Sequence, residues 1–507
     1  MNNAIRTYAK DNGGRVSLLL LLFLLAIYEF ISAGFPAFAI VCLSPLLILS
    51  VYTFFRWRMC AFWILIAVNY FIQMKDIGQS LPFPMSLPNE MLEILLVVIA
   101  IVDVRQTHQF ERAGNIMLFA ILIWIGLCFL ELFNDSCSMG LDVGKWFAGF
   151  RLMAIQLVWI LLVFSIYISS PHTLITYLKI WALFSLFSVF WVWKQEVFGF
   201  TPTENLWIET RGRSTHILNA GTLIRYFSTF SDAANYGCHA ASAAVAFIIF
   251  GITNQIKRVR WFFLIISVFV IWGMFQSGTR TAIFCLAAGL IVYIFLSKSF
   301  KIAVPFTIFV GILAFLLVFT TIGNGNQQIR RMRSAFNKDD ASSNVRDINK
   351  EAIKKYIKDT PWGIGLGMSS ENIPPNNKFY KLSAIPPDSE YVFIWVRTGP
   401  IGVSIFTFCM LLIFAGGCWV VLFKLRNKSL IGIGAGLCCA FVSINLGGYA
   451  NQVLFQYPNG MSFFGGMAIV YILPYLEPEW DKYEKKRIAQ ITEKKRLKLE
   501  KKLASRV

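Results

Sequence analysis

The sequence predicts an all-α polytopic membrane protein. It is expected to have about fourteen transmembrane helices (12–14) and two long extracytoplasmic loops, the second containing helical segments. Three observations lead there. Apolar runs long enough to cross ~30 Å of hydrocarbon recur from residue 16 to residue 476. Of the 507 residues 56% are hydrophobic and only 15% charged, with mean hydropathy +0.60, where a soluble domain carries about 25% charged residues. Basic residues punctuate short loops and gather at the C-terminus, the pattern of a chain oriented by positive charge on the cytoplasmic side.

The expected spans are 16–34, 36–55, 59–74, 88–104, 115–133, 148–169, 173–193, 234–254, 260–276, 280–297, 301–322, 389–423, 429–447 and 459–476. Arg6, Lys10 and Arg15 precede the first leucine run, which ends in "YEFISAGFPAF" without a small-residue cleavage site. That run is read as a retained first helix rather than a signal peptide. The 389–423 run is too long for one straight crossing and is expected to break near "TGP" (398–400), where proline removes a donor and glycine loosens the helix. With the N-terminus in the cytoplasm, the inside loops are 56–58, 105–114, 169–173, 257–260, 298–301 and 424–428, joined by the basic tail. Five of these six loops are basic, so both termini are expected inside.

The chain thus divides into N-terminal transmembrane helices (1–193), a first outer loop (194–233), transmembrane helices containing "SGTR" (234–322), a large outer loop (323–388), C-terminal transmembrane helices (389–476) and a basic cytoplasmic tail (477–507). Long loops translocate despite their charge, so the eleven Lys and Arg between 330 and 381 fit an outer location. Within that loop "SSNVRDINKEAIKKYIKDTPWGIGLG" predicts a surface helix. Asn344 followed by Asp347 gives a capping signal, and Val345, Ile348, Ala352, Tyr356 and Ile357 an apolar stripe. "DTP" stops the helix and "GIGLG" turns the chain.

Charge placement excludes a nucleic-acid footprint despite the net +19, because about a quarter of the Lys and Arg lie after residue 477. The tail itself reads as a solvated helix, or as one drawn to anionic lipids of the inner leaflet. The ten cysteines lie mostly in apolar runs, as do Cys42, Cys285, Cys438 and Cys439. No CxxC or Cys/His spacing supports a disulfide framework or a zinc site.

Four stretches carry candidate chemistry. "IRYFSTFSDAANYG" places Arg225, Asp232 and Asn235 at a membrane boundary, where helix N–H groups beside Arg225 would suit a phosphate; capping by Asp232 or Ser231 is the alternative. "MFQSGTRTAIF" is a tight turn that Gly278 permits, and it sets Arg280 at the mouth of a span. The loop helix carries Arg346, Lys350, Lys354 and Lys355, a basic face on which Arg346 is distinguished by lying in the first turn. In "PPDSEYVFIWVRTGPIG", Asp388 is a plausible N-cap and Glu390 falls in the first turn. Glu390, Ile394 and Arg397 share a face, with Arg397 roughly 10 Å along the axis, where it needs a partner or a wet cavity.

Through "SGTR" (277–280), "NVRDINKEAIKKYIKDTPWGIGLG" (344–367), "PPDSEYVFIWVRTGPIG" and "TFSDAANYG", the chain resembles the O-antigen ligase/polymerase family of bacterial membrane glycosyltransferases over about residues 210–450. The resemblance implies an isoprenoid pyrophosphate-linked glycan donor and a glycan acceptor meeting at the outer face of the bacterial inner membrane. Transfer would invert the anomeric carbon without cofactor or metal. Arg280 and Arg346, with Arg225, would hold the departing pyrophosphate. Asp388 or Glu390 would act on the acceptor hydroxyl, with Tyr391 as a sugar contact. Asp232, Asn235 and Arg397 complete the expected substrate-binding set. One departure stands out: ligases of the family commonly place a His-Asn pair where this chain has "DSEY", and the large outer loop holds no histidine.

The leading expectation is therefore polymerisation of lipid-linked repeat units of O-antigen, capsule or exopolysaccharide, with a flippase and chain-length regulators as further partners besides membrane lipids. The close alternative is a ligase moving a finished glycan to lipid A core or protein. From a different class, a polysaccharide flippase or transporter would also span the membrane many times, with charges near the midplane.

Overall fold

A computed structural model of the chain describes residues 13–33, 49, 52–53, 55–78, 84–218, 221, 223–298, isolated positions between 304 and 325, 327–334, 341–369, 372–383 and 385–504. The chain divides into two compact units, Met1–Ile64 and Leu65–Val507. In the first lie α1 (Gly13–Ala33) and the beginning of α2 (Arg58–Phe71). The second carries the helix bundle and every candidate site residue. Among the described residues the fold is all-α except for one antiparallel ladder of β1 (Ile217–Leu218) with β2 (Leu223–Ile224), pairing Ile217 with Ile224 and Leu218 with Leu223.

The expected number of spans is corrected. Among the described residues eight helices, not about fourteen, are long and apolar enough to cross a membrane. They are α4 (Ile116–Phe133), α5 (Val143–Tyr167), α6 (Pro171–Val197), α7 (Ala233–Thr253), α8 (Lys257–Gln276), α11 (Glu390–Lys424), α12 (Lys428–Ala450) and α13 (Gly460–Glu493). Three other apolar runs become shorter helices: 59–74 gives α2, 88–104 gives α3 (Ser86–Val102) and 280–297 gives α9 (Arg280–Leu296). At 1.5 Å per residue such 14- and 17-residue helices cover about 21–26 Å, short of the ~30 Å core. Hydropathy counted residues there that the backbone uses for turns. The expected span 16–34 lies in α1, whereas 36–55 and 301–322 fall largely outside the described residues.

Short polar side chains start the spans. Asn115 accepts from the Met117 and Leu118 amides, Ser170 from Thr173, Asp232 from Ala234 and Asn235, and Asn427 from Ser429 and Leu430. The bundle centres on α7, which packs against α8, α9 and α12. Its run "AANYGCHAASAAVAFIIFG" is rich in small residues, so neighbouring backbones approach closely. At Gly237 a Cβ would stand 2.8 Å from Thr279 Cβ, so this contact with the α8–α9 turn tolerates only glycine.

The large loop folds on its own small core. Ile353 and Ile357 from α10 (Ala341–Ile357) pack with Cys137, Ile364, Ile373, Phe379 and Val396. The helix differs from the sequence reading in two respects. It begins at Ala341, so Asn344 lies inside it instead of capping it. Its inward face runs through Arg346, Asn349, Ile353 and Ile357, polar at one end and apolar at the other, while Val345 and Ile348 are exposed. The apolar stripe was read without the polar surface that the first turns cover.

The break expected in 389–423 is present: Gly399 leaves helical geometry at φ 65°, ψ −173°. The "GIGLG" turn lies against it, with Ile364 and Gly365 amides donating to the Val396 and Arg397 carbonyls. A Cβ at Gly399 would stand 2.5 Å from the Pro361 carbonyl carbon and 2.6 Å from the Gly363 nitrogen, both backbone. Gly399→Ala is expected to cost at least about 1–3 kcal/mol from backbone strain alone. The exposed Ser404→Ala, one turn on, should stay within about 0.5 kcal/mol of the parent. Thermal unfolding of the purified variants checks this, and equal midpoints for the two would contradict it.

Candidate active site

The turn between α8 and α9 is held from three sides. Ser277 Oγ donates to the Met274 carbonyl (2.7 Å) and accepts from the Thr279 amide (3.1 Å). Thr279 Oγ1 donates to the Ala233 carbonyl at the start of α7 (2.7 Å). Arg225 then donates Nε to the Ser277 carbonyl (3.3 Å), Nη1 to the Thr215 carbonyl (2.8 Å) and Nη2 to Thr279 Oγ1 (3.1 Å). Arg331, on the short helix Gln327–Arg333, donates Nε to the Gly278 carbonyl (2.7 Å). Gly278 has φ +56°, and a Cβ there would press on Arg225 Cγ at 3.1 Å, so turn and arginine require glycine together.

Beside this turn lies a cavity of about 580 Å³, in the size range of small-molecule sites. Arg225, Arg280, Arg331 and Arg346 line it, with Asp232 and Asp388. Arg280 is the first residue of α9, whose opening turn has no side-chain cap. Its Nη1 donates to Ser334 Oγ (3.3 Å). Arg346 arrives from α10 and donates Nη2 to Asn451 Oδ1 (3.3 Å), while Asn451 Nδ2 donates to Thr281 Oγ1 (3.3 Å). Asn349, one turn beyond Arg346, donates to Asp388 Oδ2 (2.9 Å). Burial pulls the Arg225 guanidinium below its ordinary pKa; Asp232 opposes the shift, and Arg280 and Arg346 add to it. Four guanidiniums and two carboxylates beside a helix N-terminus that no side chain caps make an arrangement suited to a multiply charged anion.

The N-terminus of α7 is closed to such an anion, contrary to the sequence expectation. Asp232 Oδ1 accepts from the Ala234 and Asn235 amides (2.8 and 2.9 Å), and His216 Nε2 accepts from the Ala233 amide (3.1 Å). With Nε2 accepting, His216 carries its proton on Nδ1 and can donate it to the Gly212 carbonyl (3.1 Å). Burial, and then Arg225, bring its pKa down to about 4, so the ring is neutral at pH 7.

The opening of α11 also departs from the sequence reading. Ser389, not Asp388, caps the helix, its Oγ accepting from the Val392 amide (3.1 Å). The Asp388 carboxylate is thereby left to Asn349 and the cavity.

Four expected site residues lie elsewhere. Asn235 is fully buried and bolts α7 to the 451–459 loop, donating to Ser231 Oγ and the Tyr457 carbonyl and accepting from Asn459. Glu390 points away from the arginines. Its Oε2 accepts from the Leu454 amide (3.0 Å), and it lines a separate cavity of about 340 Å³ with Asn69, Gln73, Gln156, Gln452 and Gln456. Tyr391 donates to Asn445 Oδ1 (3.3 Å) on α12. Arg397 finds a carbonyl and a ring instead of an acid, Leu366 O at 3.5 Å and Phe393 at 5.0 Å.

The cavity also holds residues that the sequence reading passed over. Arg331 was one of many loop charges, and nothing in "QQIRRMR" marks which arginine turns inward. His216 and Asn451 stand in no motif. Among the described residues no group of three or more His, Cys, Asp or Glu is placed to hold a metal.

Residues 265–407, from within α8 to within α11, match the family model described as O-antigen ligase. No curated protein matches the chain.

Because the folded-state pKa of His216 is depressed, stability is complete above about pH 6.5 and falls as pH drops toward 4, where the unfolded chain binds the proton and the folded chain does not. The loss should be on the order of 3 kcal/mol between those limits. Thermal midpoints measured across that window should fall less steeply in His216→Gln than in the parent; equal slopes would remove His216 from the account.

Proposed function

We propose, from the likeness of residues 265–407 to the O-antigen ligase family, that the chain is a membrane glycosyltransferase acting on an isoprenoid pyrophosphate-linked glycan at the outer face of the bacterial inner membrane. The observation that carries the reading is the meeting of Arg225, Arg280, Arg331, Arg346 and Asp388 on one cavity. An acceptor hydroxyl attacks the anomeric carbon of the donor sugar from the face opposite the leaving group. As the new carbon–oxygen bond forms, the bond to the lipid pyrophosphate breaks and the configuration inverts. The hydroxyl proton passes to the Asp388 carboxylate, which Asn349 holds in place. The electron pair leaves on the pyrophosphate, whose added charge falls to Arg280, Arg346 and the open turn of α9. Arg225 and Arg331 act on the turn that carries Arg280. Glu390 is assigned to anchoring the 451–459 loop behind Asn451.

The family match favours the ligase form of this chemistry, transfer of a finished glycan to lipid A core or to protein. One observation keeps polymerisation of repeat units as a second reading: "DSEY" stands where a ligase's His-Asn pair is expected, so the base is a carboxylate.

Purified protein supplied with isoprenoid pyrophosphate-linked glycan and acceptor should form glycosidic bonds. Arg280→Ala and Arg346→Ala should each lower the rate about 100- to 1000-fold, and Asp388→Asn about 100-fold or more. Undiminished transfer by all three folded variants would sink the reading. Extension of the lipid-linked glycan itself marks a polymerase; transfer confined to a second acceptor marks a ligase.

A further inference from the structure

The cavity of about 340 Å³ that Glu390 lines shares a wall with the arginine cavity. That wall is the 451–457 segment: Asn451 lines the arginine cavity, whereas Gln452, Phe455, Gln456 and Tyr457 line the other. Asn69 and Gln73, at the end of α2 and just beyond it, close the space with Ser86 of α3, Gln156 of α5 and Glu390, the first residue of α11. Its chemistry is unlike that of its neighbour. Among the described residues its lining holds no Lys, Arg or His, and its single charged group is the Glu390 carboxylate. Five side-chain amides and three half-buried rings, Phe393, Phe455 and Tyr457, give it its character.

The amides are not spent on one another. Gln156 donates Nε2 to the Glu93 carboxylate (2.9 and 2.8 Å). A carboxylate takes only donors, which fixes the amide and leaves Gln156 Oε1 buried without a partner. Asn69 donates Nδ2 to Asn89 (2.8 Å), Gln452 donates Nε2 to the Pro387 carbonyl (2.7 Å), and Gln456 accepts on Oε1 from Asn235 (3.1 Å). Among the described residues each of these keeps the other end of its amide, and Gln73 keeps both. Spare acceptors and spare donors therefore stand together. A buried acceptor costs free energy until a donor reaches it. An anion brings no donor and would face Glu390; a bare metal ion makes no use of the rings and is far smaller than the space. A neutral sugar matches on both counts, since its hydroxyls donate and accept and its C–H faces lie against aromatic rings.

Only Leu366, Glu390 and Phe393 of this lining fall within residues 265–407, so all five amides lie outside that stretch. The arginine cavity is the reverse, with Arg280, Arg331, Arg346 and Asp388 inside it. The anion-binding groups thus sit in the segment that resembles the family, and the hydroxyl-binding groups do not. We infer that the amide-lined cavity binds a neutral sugar unit of the glycan and selects which glycan this chain accepts. This assignment rests on the proposed transferase chemistry. Glu390 faces the sugar while Asp388 faces the arginines, so the bound unit stands apart from the bond that is made. The site acts by discrimination: a cavity built to hydrogen-bond hydroxyls rejects a sugar that lacks one or carries it elsewhere, because its own polar groups are then left unpaired.

The experiment is saturation-transfer NMR on the full chain in lipid nanodiscs. The probes are the methyl glycosides of glucose, galactose, mannose, rhamnose, N-acetylglucosamine and N-acetylgalactosamine, with methyl glucuronide as the anionic comparison. At least one neutral glycoside should bind the parent, and methyl glucuronide should not displace it. Gln73→Leu combined with Tyr457→Phe removes an amide and a hydroxyl that hold no other group among the described residues, and should weaken that binding about tenfold. Arg346→Ala, in the other cavity, should bind the glycoside as the parent does. In the transfer assay the double variant should raise KM for the glycan about tenfold and leave kcat within about twofold. The cavity assignment is overturned if no neutral glycoside binds the parent, if the double variant binds as the parent does, if methyl glucuronide displaces the sugar, or if Arg346→Ala alone loses it. A fall in kcat at unchanged KM overturns the selecting role. Glycoside binding that the double variant weakens, in a protein that forms no glycosidic bond, keeps the sugar site and fails the transferase reading. Should the double variant not fold, a cryo-electron microscopy map of the unaltered protein with the bound glycoside decides instead. Density between Gln73, Gln156 and Tyr457 supports the assignment, and density confined elsewhere overturns it.

Discussion

A half-buried guanidinium is held by placing its N–H groups on fixed oxygens, and Arg225 does so on two segments of chain remote from its own. Its donors reach Thr215 in the first loop and both Ser277 and Thr279 in the α8–α9 turn. Thr279 in turn donates to Ala233, which ties the same turn to α7. Hydrogen bonds to a charged group are worth ~1.5–3 kcal/mol each, and a buried donor left without a partner costs more than a formed bond returns. The turn therefore cannot shift without stranding charge. Because Arg280 follows Thr279 directly, the direction of the Arg280 side chain is set by this clamp. The tight spots at Gly237 and Gly278 are the steric side of the same arrangement.

Around that fixed turn the charges are arranged against their own repulsion. Four guanidiniums share one cavity, and Asp232 and Asp388 offset only part of their charge. The N-terminus of α7 is closed by Asp232 and His216, whereas no side chain caps that of α9. The positive potential is thus concentrated at one place, beside Arg280 and Arg346. The helix α10 is polar where Arg346 lines the cavity and apolar where Ile353 and Ile357 enter the loop core. That core keeps the helix in position, so Arg346 is delivered by a packed element and not by a free loop.

Particular residues show how far the sequence could be read. Arg280 was found because a charge beginning an apolar run is costly unless it does something. Asp388 stands out through the family-like segment it sits in, and capping of α11 is its rival role. Only the backbone geometry of Ser389 decided between them, since either residue can cap and one position separates them. Glu390 looked equivalent to Asp388 on paper; Asp388 precedes the Ser389 cap whereas Glu390 opens the helix, and its carboxylate goes to the Leu454 amide and a different cavity. Arg331 could not be singled out, because three arginines within four residues give no signal of which one turns inward. The number of spans was overestimated for a related reason: hydropathy measures apolarity along the chain but not where the helical hydrogen bonds begin and end.

The sequence by itself determined an all-α membrane chain, the candidate arginines and acids, the break at Gly399 and the likeness of residues 265–407 to one family. These follow from local properties: apolar length, the cost of charge in hydrocarbon, glycine and proline backbone chemistry, and motif order. Tertiary structure alone decided that Arg225, Arg280, Arg331, Arg346 and Asp388 share a cavity, and that Glu390 and Arg397 do not line it. Convergence depends on which faces of α7, α9, α10, α11 and α12 meet, and that is fixed by side-chain packing between segments 39 to 201 residues apart. No local rule carries that information.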